Sequence, residues 1–173
     1  MEEYVYQTQV TLPPCDCWTF SYTLCCRNSA ITNLASPAND WSTIQSTLCN
    51  ATGPSCNNSP IFTAQPIPYI CNNAPFCYDY GVFEPDGHSL SYSFTSALNN
   101  GNPSPYSGGY SSSSPIPGIT IDQNTGQICF TPTINGNFVV TIVVTETDAF
   151  GNTIGTYMPV SYTHLRAHET RTN

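Results

Sequence analysis

The stretch Trp18-Thr19-Phe20-Ser21-Tyr22-Thr23-Leu24-Cys25-Cys26 alternates apolar and polar side chains without a break. Trp18, Phe20, Tyr22, Leu24 and Cys26 share one phase, and Cys17, Thr19, Ser21, Thr23 and Cys25 share the other. Successive side chains of an extended chain point to opposite faces, so this period of two predicts a half-buried β-strand. The same period returns in Tyr4, Tyr6, Val10 and Leu12, and briefly in Ile44 and Leu48. It recurs in Phe76, Tyr78, Tyr80 and Val82, in Leu90, Tyr92 and Phe94, and in Ile128 and Phe130. The longest run goes from Phe138 through Val140, Ile142 and Val144 to Glu146. No window carries the apolar stripe of a helix. Short strands divided by Pro, Gly and Asn clusters predict an all-β protein of sandwich type.

Turn chemistry marks the joints. Pro85-Asp86-Gly87, Gln123-Asn124-Thr125-Gly126 and Asn135-Gly136 separate strands with residues that tolerate or pre-set turn angles. Residues 99–118, rich in Ser, Gly and Pro, read as a long exposed loop. Residues 54–68 carry four prolines and read as a crossing between two modules, 1–66 and 67–159.

Composition places the chain outside the cytosol. Nine cysteines, all before residue 130, accompany only three basic residues, none of them lysine. Reducing compartments rarely hold cysteine at this density, so the expectation is an exported, disulfide-stapled protein at the cell surface or beyond it. Charged residues are 8% of the 173, and the net charge is −8. Arg27 is the one basic residue before position 166, so no basic patch exists to displace phosphate counterions, which excludes nucleic acid as a partner. No apolar run reaches the roughly 20 residues that span a bilayer. Met1-Glu2-Glu3-Tyr4 has neither a basic nor an apolar leader region, so the expectation is an internal piece of a longer protein. From Val160 the text VSYTHLRAHETRTN changes composition abruptly. It is similar to translated read-through of a sequencing adapter, and 160–173 is expected to be a non-native tail outside the fold.

Two stretches carry a family resemblance. Phe83 to Gly155, with EPDGHSLSYSF, PGITIDQNTGQICFTP and NGNFVVTIVVTETDAFGN, resembles cadherin-like and Ig-like repeats of bacterial surface proteins. TLPPCDCWTFSYTLCCRNSAITNL resembles a module preceding such a repeat in large Bacteroidota surface proteins, which often end in gliding-motility-associated C-terminal domains exported by type IX secretion. The resemblance implies a cadherin-like or Ig-like second sandwich, with flanking domains of the parent protein as its neighbours.

The resemblance also bears on the sites. Were the cadherin-like topology to hold, the strands of Cys77 and Cys129 would be neighbours and a bridge between them is favoured, with Cys71 to Cys77 as the competing local pair. Cys25 and Cys26 point to opposite faces of one strand and are expected to take different partners. Cys15 and Cys56 complete the candidates. A bridge closing tens of residues adds about 3 to 4 kcal/mol, mainly by restricting the unfolded chain. Such repeats commonly hold calcium with carboxylates at a domain end, which points to Glu84, Asp86 and Asp148. His88 stands where related repeats often carry a further aspartate. No nucleophile elbow or carboxylate pair stands out, so the expectation is no catalysis. Most aromatic residues fall on core phases. Tyr106 and Tyr110, in loop 99–118, remain free to touch a surface glycan. The functional expectation is a spacer or adhesion module, with glycan binding as the alternative.

Overall fold

The computed structural model describes residues 7–51, 56–64 and 69–166, with side chains as far as Pro159. Strands dominate: β1 (Trp18–Leu24), β2 (Ser42–Leu48), β3 (Ile61–Phe62), β4 (Tyr69–Cys71), β5 (Phe76–Tyr78), β6 (Val82–Phe83) and β7 (Ser89–Phe94). They continue as β8 (Leu98–Asn99), β9 (Asn102–Pro103), β10 (Thr120–Ile121), β11 (Ile128–Phe130), β12 (Gly136–Thr147), β13 (Thr153–Tyr157) and β14 (Val160–Arg166). A single 3-10 turn at Pro37–Asn39 is the one helical element among the described residues. The protein is all-β. Of the strand expected near the start, Tyr4 and Tyr6 lie outside the described residues, and Val10 and Leu12 belong to no strand.

β12 organises the molecule. Apart from Thr141, its run Phe138–Val144 is apolar on both phases, as suits a strand buried on both faces. Phe138, Val140, Ile142 and Val144 enter the main core with Tyr80, Tyr92, Ile128 and Phe130. Val139, on the other phase, closes a second cluster with Ile31, Leu34 and Ala97. Along its edges β12 pairs with β14 over Gly136–Thr141 and with β7 over Ile142–Thr147. It also pairs with β13 from Val144, with a bulge between Glu146 and Thr147. The resulting sheet has nine strands, β4-β14-β12-β13-β2-β8-β9, with β1 added to β2 and β7 to β12. A three-stranded sheet, β10-β11-β5, contributes its β11 side chains to the main core, and β3 and β6 form a small third sheet.

Where no strand reaches, one side chain stands in. Asn33 is fully buried; its Nδ2 donates to the carbonyls of Val139 and Pro115 at 2.8 and 3.0 Å, and its Oδ1 accepts the Val139 N–H at 3.1 Å. A single amide thus satisfies both backbone groups of a buried β12 residue.

Several expectations need correction. Strand hydrogen bonds cross the boundary expected at Pro66, itself outside the described residues: Leu48, Thr47 and Ser46 of β2 pair with Gly155, Thr156 and Tyr157 of β13. Ladder energy is gained by continuing a sheet, and β2 does so across the sequence gap. β1 is a strand as expected, but it is not half-buried. It pairs with β2 alone, no described layer covers its aromatic face, and Phe20 and Leu24 are 42% and 58% exposed. Residues 160–166, expected outside the fold, form β14 along the edge of β12, where unpaired backbone groups accept any extended segment.

Loop 99–118 is not wholly exposed either. Pro115 and Ile116 are buried, and Ser107 Oγ donates to the Leu34 carbonyl at 2.9 Å. Tyr106 packs on the Ile31–Val139 cluster, and its hydroxyl accepts the Ala97 N–H at 3.3 Å. Tyr110 meets Phe138 edge-on, with ring centroids 5.8 Å apart. Both rings are therefore committed to packing rather than held free for a glycan, because each is adjacent to a core that needs filling.

Candidate functional site

The densest polar arrangement lies where the β6–β7 turn meets the ends of β12 and β13. Glu84-Pro85-Asp86-Gly87-His88 makes the turn, with Gly87 in the left-handed region at φ 79°. The Glu84 carboxylate shapes it, accepting the Asp86 N–H at 3.0 Å and the His88 N–H at 2.6 Å. That leaves the His88 ring directed inward. Its Nδ1 lies 2.7 Å from Oε1 of Glu146 and 3.9 Å from Oε1 of Glu84.

Glu146 is the centre of the knot. It continues the core phase of β12, two residues beyond Val144, and is 0% exposed. A buried carboxylate must be hydrogen-bonded, and this one is saturated. Besides His88, Oε2 accepts the Tyr157 hydroxyl at 2.6 Å and the Asn57 amide at 3.1 Å. Gly155 leaves the room this requires: a Cβ there would lie 2.5 Å from the Tyr157 hydroxyl and 3.1 Å from Oε2 of Glu146. Asp86 faces outward and holds the next residue of the same segment, accepting the Asn58 N–H at 2.6 Å and its side-chain amide at 3.0 Å. Two neighbouring asparagines thereby fasten segment 56–60 to the turn and to β12.

Electrostatics follow the geometry. The hydrogen bond that His88 donates to Glu146 raises the His88 pKa; desolvation opposes this, and the charges of Glu146, Glu84 and Asp86 reinforce it. Backbone and side-chain bonds from Asn58 hold Asp86 below the usual carboxylate range. Burial, and then acceptance of its hydrogen bond by Glu146, push the Tyr157 phenol up.

Of the expected ligand set, the structure brings Glu84 and Asp86 together with His88, one ligand atom from each lying within 4.8 Å of the others. Asp148 is not in that group. Its carboxylate caps its own turn, accepting the Phe150 and Asn152 N–H groups at 2.9 Å each and the Asn152 side-chain amide at 3.1 Å, and these bonds lower its pKa. Sequence reasoning misses Glu146, Tyr157, Asn57 and Asn58. Only Glu146 carries a signal, as an acid in phase with Phe138, Val140, Ile142 and Val144. Among the described residues, the hydrogen bond and ion pairs of the His88 side chain go to Glu146 and Glu84.

The cysteines form three bonds. Cys77 joins Cys129, its direct register partner between β5 and β11. Cys17 joins Cys49, extending the β1–β2 ladder by one position beyond Trp18 and Leu48. Cys25 bonds to Cys26, which corrects the expectation of different partners: the chain leaves β1 at Leu24, so strand alternation no longer separates the two side chains. Cys15, Cys56 and Cys71 are free thiols. A second feature is an open apolar groove of about 450 Å³ lined by Phe20, Tyr22, Ile44, Phe62, Met158 and Pro159, among others.

No family model matches the chain, and no curated protein does. Among solved structures, a Bacteroides fragilis protein described provisionally as an alpha-galactosidase aligns with a TM-score of 0.41 and 14% identity. The match covers 66% of this chain and 19% of that one, and at this similarity it carries no argument about function.

Proposed function

We propose that the chain is a non-catalytic structural or adhesion module of a secreted or cell-surface protein. The observation that carries this reading is the pair of long-range bridges, Cys17–Cys49 and Cys77–Cys129, each set across adjacent strands and spanning 32 and 52 residues. Bonds of this kind persist in oxidising surroundings and hold a domain folded where no chaperone renews it. The weakly charged surface supports the same reading: Arg27, the one arginine whose side chain is described, is buried, with Nη2 donating to the Leu98 carbonyl at 2.8 Å. No described helix is long and apolar enough to cross a membrane. The neighbours of such a module are the flanking domains of its parent protein.

Calcium is the finer part of the proposal. Glu84 and Asp86 would supply carboxylate oxygens, yet both already accept amide hydrogens, and His88 offers nitrogen where calcium prefers oxygen. With six to eight oxygens required, water would complete the shell. The expected affinity falls at the weak end known for extracellular modules, roughly 10⁻⁴ to 10⁻³ M.

The test is a panel of chromogenic glycosides, esters and peptides, run beside attachment of beads coated with the oxidised chain to bacterial and host surfaces. Absence of turnover together with attachment, or with survival of repeated mechanical extension as a spacer, is the expected result. Turnover abolished by His88→Ala would overturn the reading.

A further inference from the structure

We infer that Asn100, at the tip of the β8–β9 hairpin, is a site of spontaneous backbone modification, where its side-chain amide is lost through a cyclic imide to leave aspartate and isoaspartate.

Three places in the sequence set an acid or its amide directly before glycine: Asp86-Gly87, Asn100-Gly101 and Asn135-Gly136. Glycine has no Cβ to shield its own nitrogen, so that nitrogen can reach the Cγ of the residue before it. By sequence the three are alike in this respect. The fold separates them.

Asp86 is tied to Asn58, accepting its N–H at 2.6 Å and its side-chain amide at 3.0 Å. Those bonds favour the ionised carboxylate, whose oxygens are poor leaving groups. Asn135 is tied at both ends of the reacting pair: its Oδ1 accepts the amide of Asn72, and Gly136 enters β12 opposite Leu165. Closing an imide at either place breaks the contacts that hold it.

Asn100 has no such ties. It and Gly101 are both exposed, and among the described residues neither the Asn100 side chain nor the Gly101 N–H makes a hydrogen bond. With φ of 48° and 81° the two lie in the left-handed region, which this residue pair adopts readily at a hairpin tip. Imide closure needs the backbone to leave that turn, and little opposes it. β8 and β9 pair over only two positions, and β9 ends the path of the nine-stranded sheet. Elements with so few backbone bonds open first.

The atoms balance with water alone. The Gly101 nitrogen bonds to Cγ of Asn100 and gives up its proton, and Nδ2 departs as ammonia. Water then opens the imide at one carbonyl or the other. Isoaspartate routes the chain through the former side chain and adds a methylene to the turn, so the pairs Leu98–Pro103 and Asn99–Asn102 no longer match. The hairpin also anchors its neighbours, since the Leu98 carbonyl accepts Arg27 Nη2 at 2.8 Å and Asn99 donates to Asp40 at 3.1 Å. Modification at the tip therefore loosens the hold on two buried charges.

The test ages the oxidised 173-residue chain at mildly alkaline pH and maps its peptides by mass spectrometry, with electron-transfer fragmentation to tell isoaspartate from aspartate. Loss of ammonia and gain of water at Asn100 is expected ahead of any change at Asn135 or Asp86. Isoelectric focusing is expected to show one added negative charge per chain. The same chain unfolded in urea is the reference, and there Asn135 is expected to react alongside Asn100. Asn100→Gly keeps a turn pair that tolerates positive φ, and it is expected to hold its charge and its melting temperature over a period in which both fall in the parent. An Asn100 that stays intact in the folded chain while the unfolded chain reacts overturns the inference. So does a folded chain in which Asn135 or Asp86 reacts first, or in which all three react equally, since the fold would then select nothing.

Discussion

The Tyr157 hydroxyl, on β13, donates at 2.6 Å to Glu146, a fully buried carboxylate on β12. The same carboxylate receives His88 from the β6–β7 turn and Asn57 from the 56–60 segment, so one acid joins four parts of the chain. Removing it strands three donors in a site that excludes water. Glu146→Ala is expected to cost about 3 kcal/mol or more, and Tyr157→Phe, which removes a single bond to a charged group, about 1.5 to 3 kcal/mol. Chemical denaturation of both variants at neutral pH checks the order.

His88 gives the fold a pH dependence. Its pKa is raised in the folded state, first by the Glu146 hydrogen bond and then by the charges of Glu146, Glu84 and Asp86. The stabilisation is therefore complete below the unfolded histidine value of about 6.5 and is lost as pH rises through the higher folded value. The melting temperature is expected to decline across that interval in the parent and to run flatter in His88→Gln. A parent profile as flat as that of the variant contradicts this.

Asn33 is expected to be the least replaceable polar residue. Its amide donates to two carbonyls and accepts the Val139 N–H. Asn33→Asp keeps the shape but turns a donor group into an acceptor facing those carbonyls. A loss of roughly 3 kcal/mol or more is expected for Asn33→Asp, no smaller than that for Asn33→Ala, read from urea midpoints.

Two glycines are predicted to resist substitution for different reasons. Gly126 has a positive φ of 75°, and a Cβ there would lie 2.7 Å from the ring of buried Tyr92, so Gly126→Ala combines backbone strain with overpacking, at about 2 kcal/mol. Gly155→Ala carries no such φ and acts by pushing the Tyr157 hydroxyl off Glu146. Its loss should shrink when combined with Tyr157→Phe, a coupling that a double-mutant cycle measures.

Strand identity is legible in this sequence wherever the period of two is long, and β12 shows why: seven residues from Phe138 to Val144 offer side chains that bury on both phases. What covers a strand is not legible. Phe20 and Val140 each sit on an unbroken apolar phase, yet one is exposed and the other buried, because burial depends on which elements pack above. The candidate site is half legible. Glu84, Asp86 and His88 share one turn, so proximity in sequence suffices. Asn57 reaches Glu146 across 89 positions, and Asn33 reaches Val139 across 106, distances at which local pattern carries no information. Tyr106 and Tyr110 mislead because a Ser- and Gly-rich loop looks solvated even when its rings fill core edges.

The account depends on an oxidised chain whose bridges follow strand register. Non-reducing peptide mapping by mass spectrometry, after alkylation of the native protein, measures this directly. Cys17–Cys49 and Cys77–Cys129 linked peptides are predicted, with Cys15, Cys56 and Cys71 carrying the alkyl label. A Cys71–Cys77 peptide, or label on most of the nine cysteines, would contradict it.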